Sequence, residues 1–329
     1  MSDYGQETLV IILGNQLFPY AEIKRAGLQD SRFFMAEDMG LCTYVKHHQQ
    51  KIVLFLAAMR AHADDLRSNG CDLHYVSFDD QSGAELQTKY ETKVSRFAEG
   101  KGIKRLVMFE IEDKFFEERI EALAQDEGLD LEFLDSPMFV TPREEFADYL
   151  DNSGKRPFMA KFYERQRKRR DILVDGDGKP EGGQWSFDGD NREMLPKKVE
   201  VPKTEWAKPT VHVEAVKQIV AERFGDHPGV LDSLPPQASR DDDGLLLEIG
   251  ERGATGDSGF WLPTTRRQAL AWLRDFFADR FEEFGPYEDA LSNRDDVLFH
   301  SALSPLMNLG LITPMEIVDR ALDYAGDNN

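Results

Sequence analysis

The stretch LVIILG, residues 9–14, consists of five consecutive large apolar residues followed by a glycine. A short, continuous apolar run that ends at a turn residue is typical of a strand buried on both faces. Helical patterns and short polar segments separate four further strand-like segments, at residues 31–37, 72–78, 103–110 and 129–134. Strands that alternate with helices predict a parallel, Rossmann-like sheet with helices on both faces. The sequence therefore predicts a five-stranded α/β domain over residues 1–150.

The pattern changes after residue 150, where glycine, proline and charged residues become frequent. A helix is predicted at residues 152–168, a long irregular connection follows, and a short helix is predicted at residues 213–224. Apolar residues spaced three or four apart predict three more helices, from residue 265, at residues 296–310 and from residue 313. We therefore expect three parts: the α/β domain at 1–150, a helix and long linker at 151–264, and a partial all-α domain at 265–329.

The composition excludes several classes of protein. Hydrophobic residues make up 41% of the 329 residues, which is incompatible with a wholly disordered chain. The longest apolar run, residues 52–59, is far too short to span a bilayer, and the first residues have no signal-type pattern. The two cysteines, Cys42 and Cys71, cannot form a disulfide framework, and no spacing indicates a metal site. We expect a cytoplasmic protein without a membrane partner; the oligomeric state stays open.

A basic segment stands out because the net charge of the chain is −21. Residues 155–170 contain eight Lys or Arg and only one acid, with aromatic residues among them. A solvated helix face and a nucleic-acid contact are both compatible with this pattern. The candidate DNA-binding residues in this segment are Lys161, Arg165, Lys168 and Arg169.

Two other places suggest ligands. Ser301 and Ser304 lie three residues apart in DVLFHSALSPLMNLG (residues 296–310), so they would share one face of the predicted helix. Hydroxyls at a helix start suit a phosphate, although a core helix with serines bonded to its own backbone is an alternative. Glu37 and Asp38 end the second strand, at the edge where α/β sheets bind ligands, but could also be ordinary loop acids.

Several motifs together resemble the cryptochrome/photolyase family, in its bacterial photolyase-related branch. They cover nearly the whole chain and are ILGNQLF, MAEDMGLCTYVKHHQQKIVLFLAAMR, KPEGGQWSFDGDNRE and FGPYEDALSNRDDVLFHSALSPLMNLGLITPMEIV. The resemblance implies an N-terminal α/β antenna domain, a linker and an all-α domain that binds FAD. It also implies UV-damaged DNA as the partner and light-driven repair of pyrimidine photoproducts by reduced FAD. A blue-light photoreceptor, or a chromophore- or nucleotide-binding module without catalysis, remains an alternative.

The resemblance assigns cofactor residues one by one. In the family, a Thr-Ser-x-Leu-Ser-Pro segment holds the flavin diphosphate, and here HSALSP keeps Ser301, Leu303 and Ser304 while His300 replaces the threonine. Tyr287 corresponds to an upstream tyrosine that contacts the flavin. FAD is therefore the expected cofactor of the complete protein.

The antenna pocket and the rest of the chemistry depart from the family pattern. Asn15 stands where lumazine-binding members have Asp, and Leu41 where they have Glu, whereas Glu37 and Tyr44 match. Loss of two hydrogen-bond acceptors argues against lumazine, so another antenna chromophore or none is expected. Relatives of this branch are longer, and no position here matches their iron–sulfur cysteines or catalytic residues. We therefore expect no repair by residues 1–329 alone.

Overall fold

A computed structural model describes residues 4–154, 156–231 and 259–327. Its five strands are β1 (Thr8–Ile11), β2 (Arg32–Ala36), β3 (Asp72–Val76), β4 (Arg105–Phe109) and β5 (Asp130–Leu134). All of them are parallel, in the order β3-β2-β1-β4-β5. The predicted five-stranded parallel α/β fold is confirmed, and each strand lies within the segment that the sequence predicts, apart from β1, which begins one residue earlier.

The apolar run at the start of the chain forms the central strand. Every residue of β1 is buried, and Leu9 pairs with Arg32 on one side and with Leu106 on the other. The strands at the two edges, β3 and β5, are more exposed. Continuous apolar sequence is therefore found where both faces and both edges of the strand are covered.

Helices connect the strands of the sheet, and further helices follow the last strand in the chain. The described helices are α1 (Tyr20–Arg25), α2 (Met39–Thr43), α3 (Gln49–Ser68), α4 (Tyr90–Ala98), α5 (Lys114–Glu127), α6 (Arg143–Asn152), α7 (Met159–Arg170), α8 (Val211–Arg223), α9 (Arg266–Asp279), α10 (Phe281–Tyr287), α11 (Ser304–Leu309) and α12 (Pro314–Asp327). None of these helices is long and apolar enough to cross a membrane. Tyr90 of α4 and Phe116 of α5 are buried in the same core cluster as Phe34 and Leu106 of the sheet.

The described chain divides into two compact units, each made of separate segments. One unit contains residues 1–138, 205–273 and 303–329, and the other contains residues 139–204 and 274–302. The division into sequence domains at residues 150 and 264 stays a prediction. Four helices follow residue 264 instead of the three predicted, because α10 is a separate short helix after α9.

The helix predicted at residues 152–168 is wrong in its extent. Two helices occupy this region: α6 ends at Asn152 and α7 begins at Met159. Gly154 adopts a left-handed backbone conformation with a φ of 73°, and Pro157 follows it. Both residues interrupt a helix. Lys161 is therefore the first basic residue of the segment that lies in a helix.

The helix predicted at residues 296–310 is also wrong in its extent. Only the six residues of α11 are helical there, because Leu298 and Ala302 have positive φ angles of 51° and 49°. Side chains hold this irregular backbone: the Asp295 carboxylate accepts from the amides of Val297 and Leu298. Ser301 therefore precedes the helix that Ser304 begins, and the two serines do not share a helix face.

His62 makes the stability of the fold depend on pH. It lies on α3, is buried, and its Nε2 has no hydrogen-bond partner among the described residues. Burial lowers the pKa of His62 to about 4. Since an unfolded histidine has a pKa of about 6.5, the unfolded state gains its proton first as the pH falls. Stability is then lost from about pH 6.5 downwards, by up to ~1.4 kcal/mol per pH unit.

We therefore expect His62→Leu to reduce the loss of stability between pH 7.5 and pH 5 by about 2 kcal/mol relative to the unmodified chain. Urea unfolding of both proteins at the two pH values measures this difference. The same loss in both proteins would contradict a neutral, unpaired His62 in the folded state.

Candidate functional site

The carboxyl ends of β1 and β4 form the switch point of the sheet, because the strands of the first half lie on one side of it and β5 lies on the other. Ligands of open α/β sheets bind at this position. Asn15 follows β1 and Glu112 follows β4, and the Asn15 side-chain nitrogen donates to Glu112 Oε2 at 2.8 Å. The two loops that frame the switch point are thus joined by an amide and a carboxylate.

The carboxylate of Glu112 receives a second donor from the end of β5. Ser136 is buried, and its hydroxyl lies 3.4 Å from Glu112 Oε1. Burial raises the pKa of Glu112 despite these hydrogen bonds, and the negative charge of Asp113 raises it further. Glu112 is therefore a partly desolvated acceptor at the edge of the sheet.

Two exposed aromatic rings contact each other, and one of them, Phe115, follows Glu112 by three residues. The side chains of Tyr44 and Phe115 are 53% and 43% exposed, and their ring centroids are 5.5 Å apart. The Tyr44 ring also contacts His47, with centroids 4.9 Å apart. Partial burial and the charge of Asp113 raise the pKa of Tyr44. The negative charge of Asp113, the residue after Glu112, thus acts on the Tyr44 hydroxyl.

Glu37, predicted from the sequence as an antenna-pocket residue, is engaged by the protein itself. It is fully buried, and its carboxylate accepts from Arg60 Nε at 2.6 Å, Arg60 NH2 at 3.0 Å, the Tyr75 hydroxyl at 2.8 Å and the Phe78 amide at 2.6 Å. Four donors use the acceptor capacity of an ionised carboxylate. Glu37 therefore holds β2, β3 and α3 together.

Asp38 has a similar structural engagement. Lys93 Nζ donates to Asp38 Oδ2 at 2.8 Å and to the Glu37 carbonyl at 3.0 Å, and both charged side chains are buried. The other carboxylate oxygen of Asp38 accepts from the Leu41 amide and caps α2. The loop-acid interpretation of Asp38 fits these contacts.

The basic segment of α7 contains one buried member that the sequence does not distinguish. Arg167 is buried and donates to three carbonyls, those of Ile172, Leu173 and Trp185. Its guanidinium also lies 5.1 Å from the centre of the Trp185 ring. Arg167 thus fixes the loop that follows α7.

The four residues predicted to bind DNA lie on the surface of the same helix. Arg165 lies 3.7 Å from Asp148, Lys168 lies 2.6 Å from Glu164, and Arg169 lies 3.4 Å from Glu145. Lys161 is exposed. Because three of the four have an acidic neighbour, the net positive field of α7 is weaker than the sequence suggests. Lys155, the first basic residue of the segment, lies outside the described residues.

The residues predicted to hold FAD fall in the two units, and their environments differ. Tyr287 is buried and contacts Phe299, with ring centroids 5.7 Å apart, and His300 is exposed and its Nδ1 accepts from the Ala302 amide. Ser301 is half-buried. In the other unit Leu303 is buried and Ser304 is exposed. The two serines are thus less buried than Tyr287 and Leu303.

The end of α11 packs on the loop after β1. The Leu17 amide donates to the Leu309 carbonyl at 2.9 Å. Gly310 has a φ of 80°, and a Cβ at this position would lie 2.9 Å from the Phe18 ring. The helix that begins at Ser304 is therefore anchored directly beside the loop that carries Asn15.

The sequence-based prediction missed Glu112, Ser136 and Phe115. Glu112 follows a predicted strand, as Glu37 does, and that position was a sufficient signal for it. Ser136 and Phe115 carry no such signal, because only the folded chain brings the end of β5 and the start of α5 to the switch point. No group of three or more potential metal ligands occurs within residues 4–154, 156–231 and 259–327.

Known proteins with similar sequences support one assignment. Residues 10–234 match the family described as deoxyribodipyrimidine photo-lyase-related protein. A (6-4) photolyase from Agrobacterium fabrum is 26% identical over 315 residues, which cover 95% of this chain and 56% of that protein. The uncharacterised protein R852 of Acanthamoeba polyphaga mimivirus is 26% identical over 204 residues, 59% of this chain and 97% of the viral protein.

Among solved structures, a bacterial class III photolyase from Agrobacterium tumefaciens matches with a TM-score of 0.48 and 16% identity, over 98% of this chain and 55% of that one. The chain thus spans about half the length of the photolyases it matches. The family match covers more than half of the residues and includes β2 to β5 and the second half of β1. The chain belongs to the family of deoxyribodipyrimidine photo-lyase-related proteins.

Proposed function

We propose that the chain is part of a light-dependent, FAD-based DNA repair protein that acts on ultraviolet pyrimidine photoproducts. The observation that carries this proposal is the similarity to a (6-4) photolyase over 95% of the chain. It extends beyond the α/β sheet into the segment that contains Ser301 and Ser304. Bound FAD would supply the photochemical electron transfer, and the residues of this chain would bind and orient it.

Ser304, at the start of α11, is exposed, and its hydroxyl suits a phosphate of FAD; Ser301, in the other unit, is half-buried and is proposed separately as a phosphate contact. Because α11 has only six residues, these hydroxyls rather than a helix dipole would supply the contacts. Tyr287 and Leu303 are buried, so we assign each of them a supporting role within its own unit. His300 would keep the backbone before Ser301 in place through its bond to the Ala302 amide.

DNA would contact the surface of α7. Lys161, Lys168 and Arg169 of this helix are exposed and Arg165 is half-buried, and the same segment carries the exposed aromatic residues Phe158 and Tyr163. Cations neutralise phosphates, and exposed aromatic rings stack on unpaired bases. The carboxyl edge of the sheet, with Asn15, Tyr44 and Glu112, would hold a second, light-absorbing chromophore.

The test is the affinity of the purified chain, with FAD present, for an ultraviolet-irradiated duplex and for the same duplex before irradiation. We expect tighter binding to the irradiated duplex. Replacement of Lys161 and Arg169 by Gln removes two phosphate-neutralising charges, so the double variant should bind several-fold more weakly and reduce the log–log salt slope by about 2. Lys24→Gln with Arg25→Gln on α1 removes the same charge elsewhere and is the control.

Equal affinity for both duplexes would contradict a repair function. Equal losses in the two double variants would contradict the assignment of α7. The absorption spectrum of the same sample shows whether flavin is bound, because a bound flavin has resolved vibronic bands. Ser304→Val should weaken flavin binding and therefore these bands.

A further inference from the structure

A short segment after α8 is fastened to the start of α3. The backbone amide of Gln49, the first residue of α3, donates to the Pro228 carbonyl at 2.9 Å. The Gln49 side chain donates to two more carbonyls of the same segment, at 2.9 and 3.0 Å. We refer to residues 46–49 and 226–229 together as the clasp; both parts belong to the same compact unit.

Three histidines lie in the clasp, and their hydrogen bonds fix the role of Nδ1 in each ring. The Nδ1 of His48 accepts from the Gln50 amide at 3.2 Å and caps α3. The Nδ1 of His47 lies 3.4 Å from Lys51 Nζ, and it accepts because an ammonium can only donate. His227 is buried, and its Nδ1 donates to the His47 carbonyl at 2.9 Å. Two of the three rings therefore make bonds that require their neutral form.

Protonation of these rings acts against the clasp in two ways. It places a proton on the Nδ1 atoms that accept from the Gln50 amide and the Lys51 ammonium, so both bonds are lost. It also adds positive charge at the N-terminus of a 20-residue helix, where the backbone N–H groups already carry partial positive charge. Burial, together with the positive charges of Lys51 and His227, lowers the pKa of His47, as expected where the neutral ring is favoured.

The other groups beside these rings keep their charge state as the histidines titrate. Lys46 Nζ donates to Asp226 Oδ2 at 2.7 Å, and this bond lowers the pKa of Asp226. The Tyr44 ring packs on His47, and its hydroxyl stays neutral because partial burial and the charge of Asp113 raise its pKa. The acid of the clasp is thus already balanced by a lysine when the imidazoles become charged.

We propose that the clasp is a pH-sensitive switch, which is closed while its histidines are neutral and opens as they take up protons below about pH 6.5. The sign follows from His47: a ring whose folded-state pKa is lowered stabilises the closed form above its unfolded value and loses that contribution as the pH falls. Opening stops at Phe224, because this ring is fully buried and contacts Phe78, with centroids 6.1 Å apart. The switch goes beyond the proposed function and does not depend on it.

Hydrogen exchange at the Gln49 amide measures closure directly, because this N–H donates to Pro228 across the clasp. The quantity is the protection factor, the ratio of the intrinsic exchange rate at each pH to the observed rate, which nuclear magnetic resonance resolves for single amides. We expect it to fall at least about tenfold from pH 7.5 to pH 5.5, the factor that corresponds to a combined pKa difference of about one between the open and closed forms. The amides of β4, inside the sheet, are the internal reference for a general loss of stability such as that expected from His62.

Asn can replace each histidine and keep its hydrogen bond, because its side chain donates and accepts close to the position of Nδ1 but does not titrate. The triple variant His47→Asn, His48→Asn and His227→Asn should therefore stay closed at pH 7.5 and lose the fall in protection at pH 5.5. His74→Asn on β3 removes a histidine outside the clasp and should leave that fall unchanged.

Gly229→Ala should open the clasp without acid. Gly229 has a φ of 90°, and a Cβ there would overlap the His48 ring, so the ring would be displaced together with its cap on α3. The protection of Gln49 should then be low already at pH 7.5. Gly70→Ala, at the other end of α3, is the matched control, since its φ is 84° but its Cβ would meet no atom within 4 Å.

Equal protection of the Gln49 amide at the two pH values would overturn the inference, and so would a fall of the same size in β4. A fall that persists in the folded triple Asn variant would overturn it as well. Thermal unfolding establishes that each variant is folded, and the samples contain neither FAD nor DNA, so a failure of the proposed repair function would leave this result unaffected.

Discussion

Replacement of Arg60 by Met is expected to destabilise the α/β sheet by about 3–5 kcal/mol, the range observed when one partner of a buried ion pair is removed. Arg60 provides two of the four donors to the buried carboxylate of Glu37. Without it, Glu37 keeps the Tyr75 hydroxyl and the Phe78 amide but has lost the charge that balances its own. Urea unfolding followed by far-ultraviolet circular dichroism measures the loss.

Arg67→Met is the matched control because it makes the same substitution on the same helix. Arg67 is half-exposed and lies 3.9 Å from Asp64, so its pair should contribute less than about 1 kcal/mol. Addition of Glu37→Gln to Arg60→Met removes the unpaired charge and should recover part of the loss. A loss in Arg60→Met no larger than that in Arg67→Met would contradict a stabilising role for this pair.

The second large effect is expected at Gly310, which combines two constraints. Its φ of 80° is unfavourable for any residue with a Cβ, and that Cβ would also lie 2.9 Å from the Phe18 ring and 3.0 Å from the Leu17 backbone nitrogen. The conformation alone costs about 1–2 kcal/mol, and overpacking adds about 1–3 kcal/mol. Gly310→Ala should therefore destabilise the chain by about 2–5 kcal/mol in urea unfolding.

Gly70 separates the two contributions. Its φ is 84°, but no heavy atom lies within 4 Å of the position that a Cβ would occupy. Gly70→Ala should therefore show the conformational cost alone, and its difference from Gly310→Ala measures the contact with Phe18 and Leu17. Equal costs at the two positions would mean that α11 can move away from the β1 loop without loss.

The sequence predicts the sheet well because each strand is specified by local signals. Continuous apolar runs such as that of β1 end at turn residues, and such a run is typical of a strand that is buried on both faces. The end of α3 at Ser68 is marked by a local signal as well, since Gly70 follows it in a left-handed conformation.

The same signals fail where side chains control the backbone. Asp295 and His300 accept hydrogen bonds from nearby amides and hold Leu298 and Ala302 in left-handed conformations. Apolar spacing contains no information about such bonds, so it predicts a helix there. Burial is equally hidden in the basic segment, where Arg167 is buried and donates to three carbonyls while Lys168 and Arg169 are exposed.

The candidate site could be predicted in its location but not in its contacts. The carboxyl edge of the sheet follows from the order of strands and helices, and the assignment of Asn15 and Tyr44 to a site there stays a prediction. Whether Glu37 or Glu112 is available to a ligand depends on how many donors each one meets, and those donors come from distant parts of the chain.

The contact between Leu17 and Leu309 has a consequence for the order in which the protein is made. Ribosomes add about 5–20 residues per second, so the β1 loop would emerge roughly 15–60 s before the segment that covers it. During that time the Phe18 ring lacks the contact with Gly310 that it has in the folded chain. A nascent chain of this protein should therefore bind chaperones at the β1 loop until α11 leaves the ribosome.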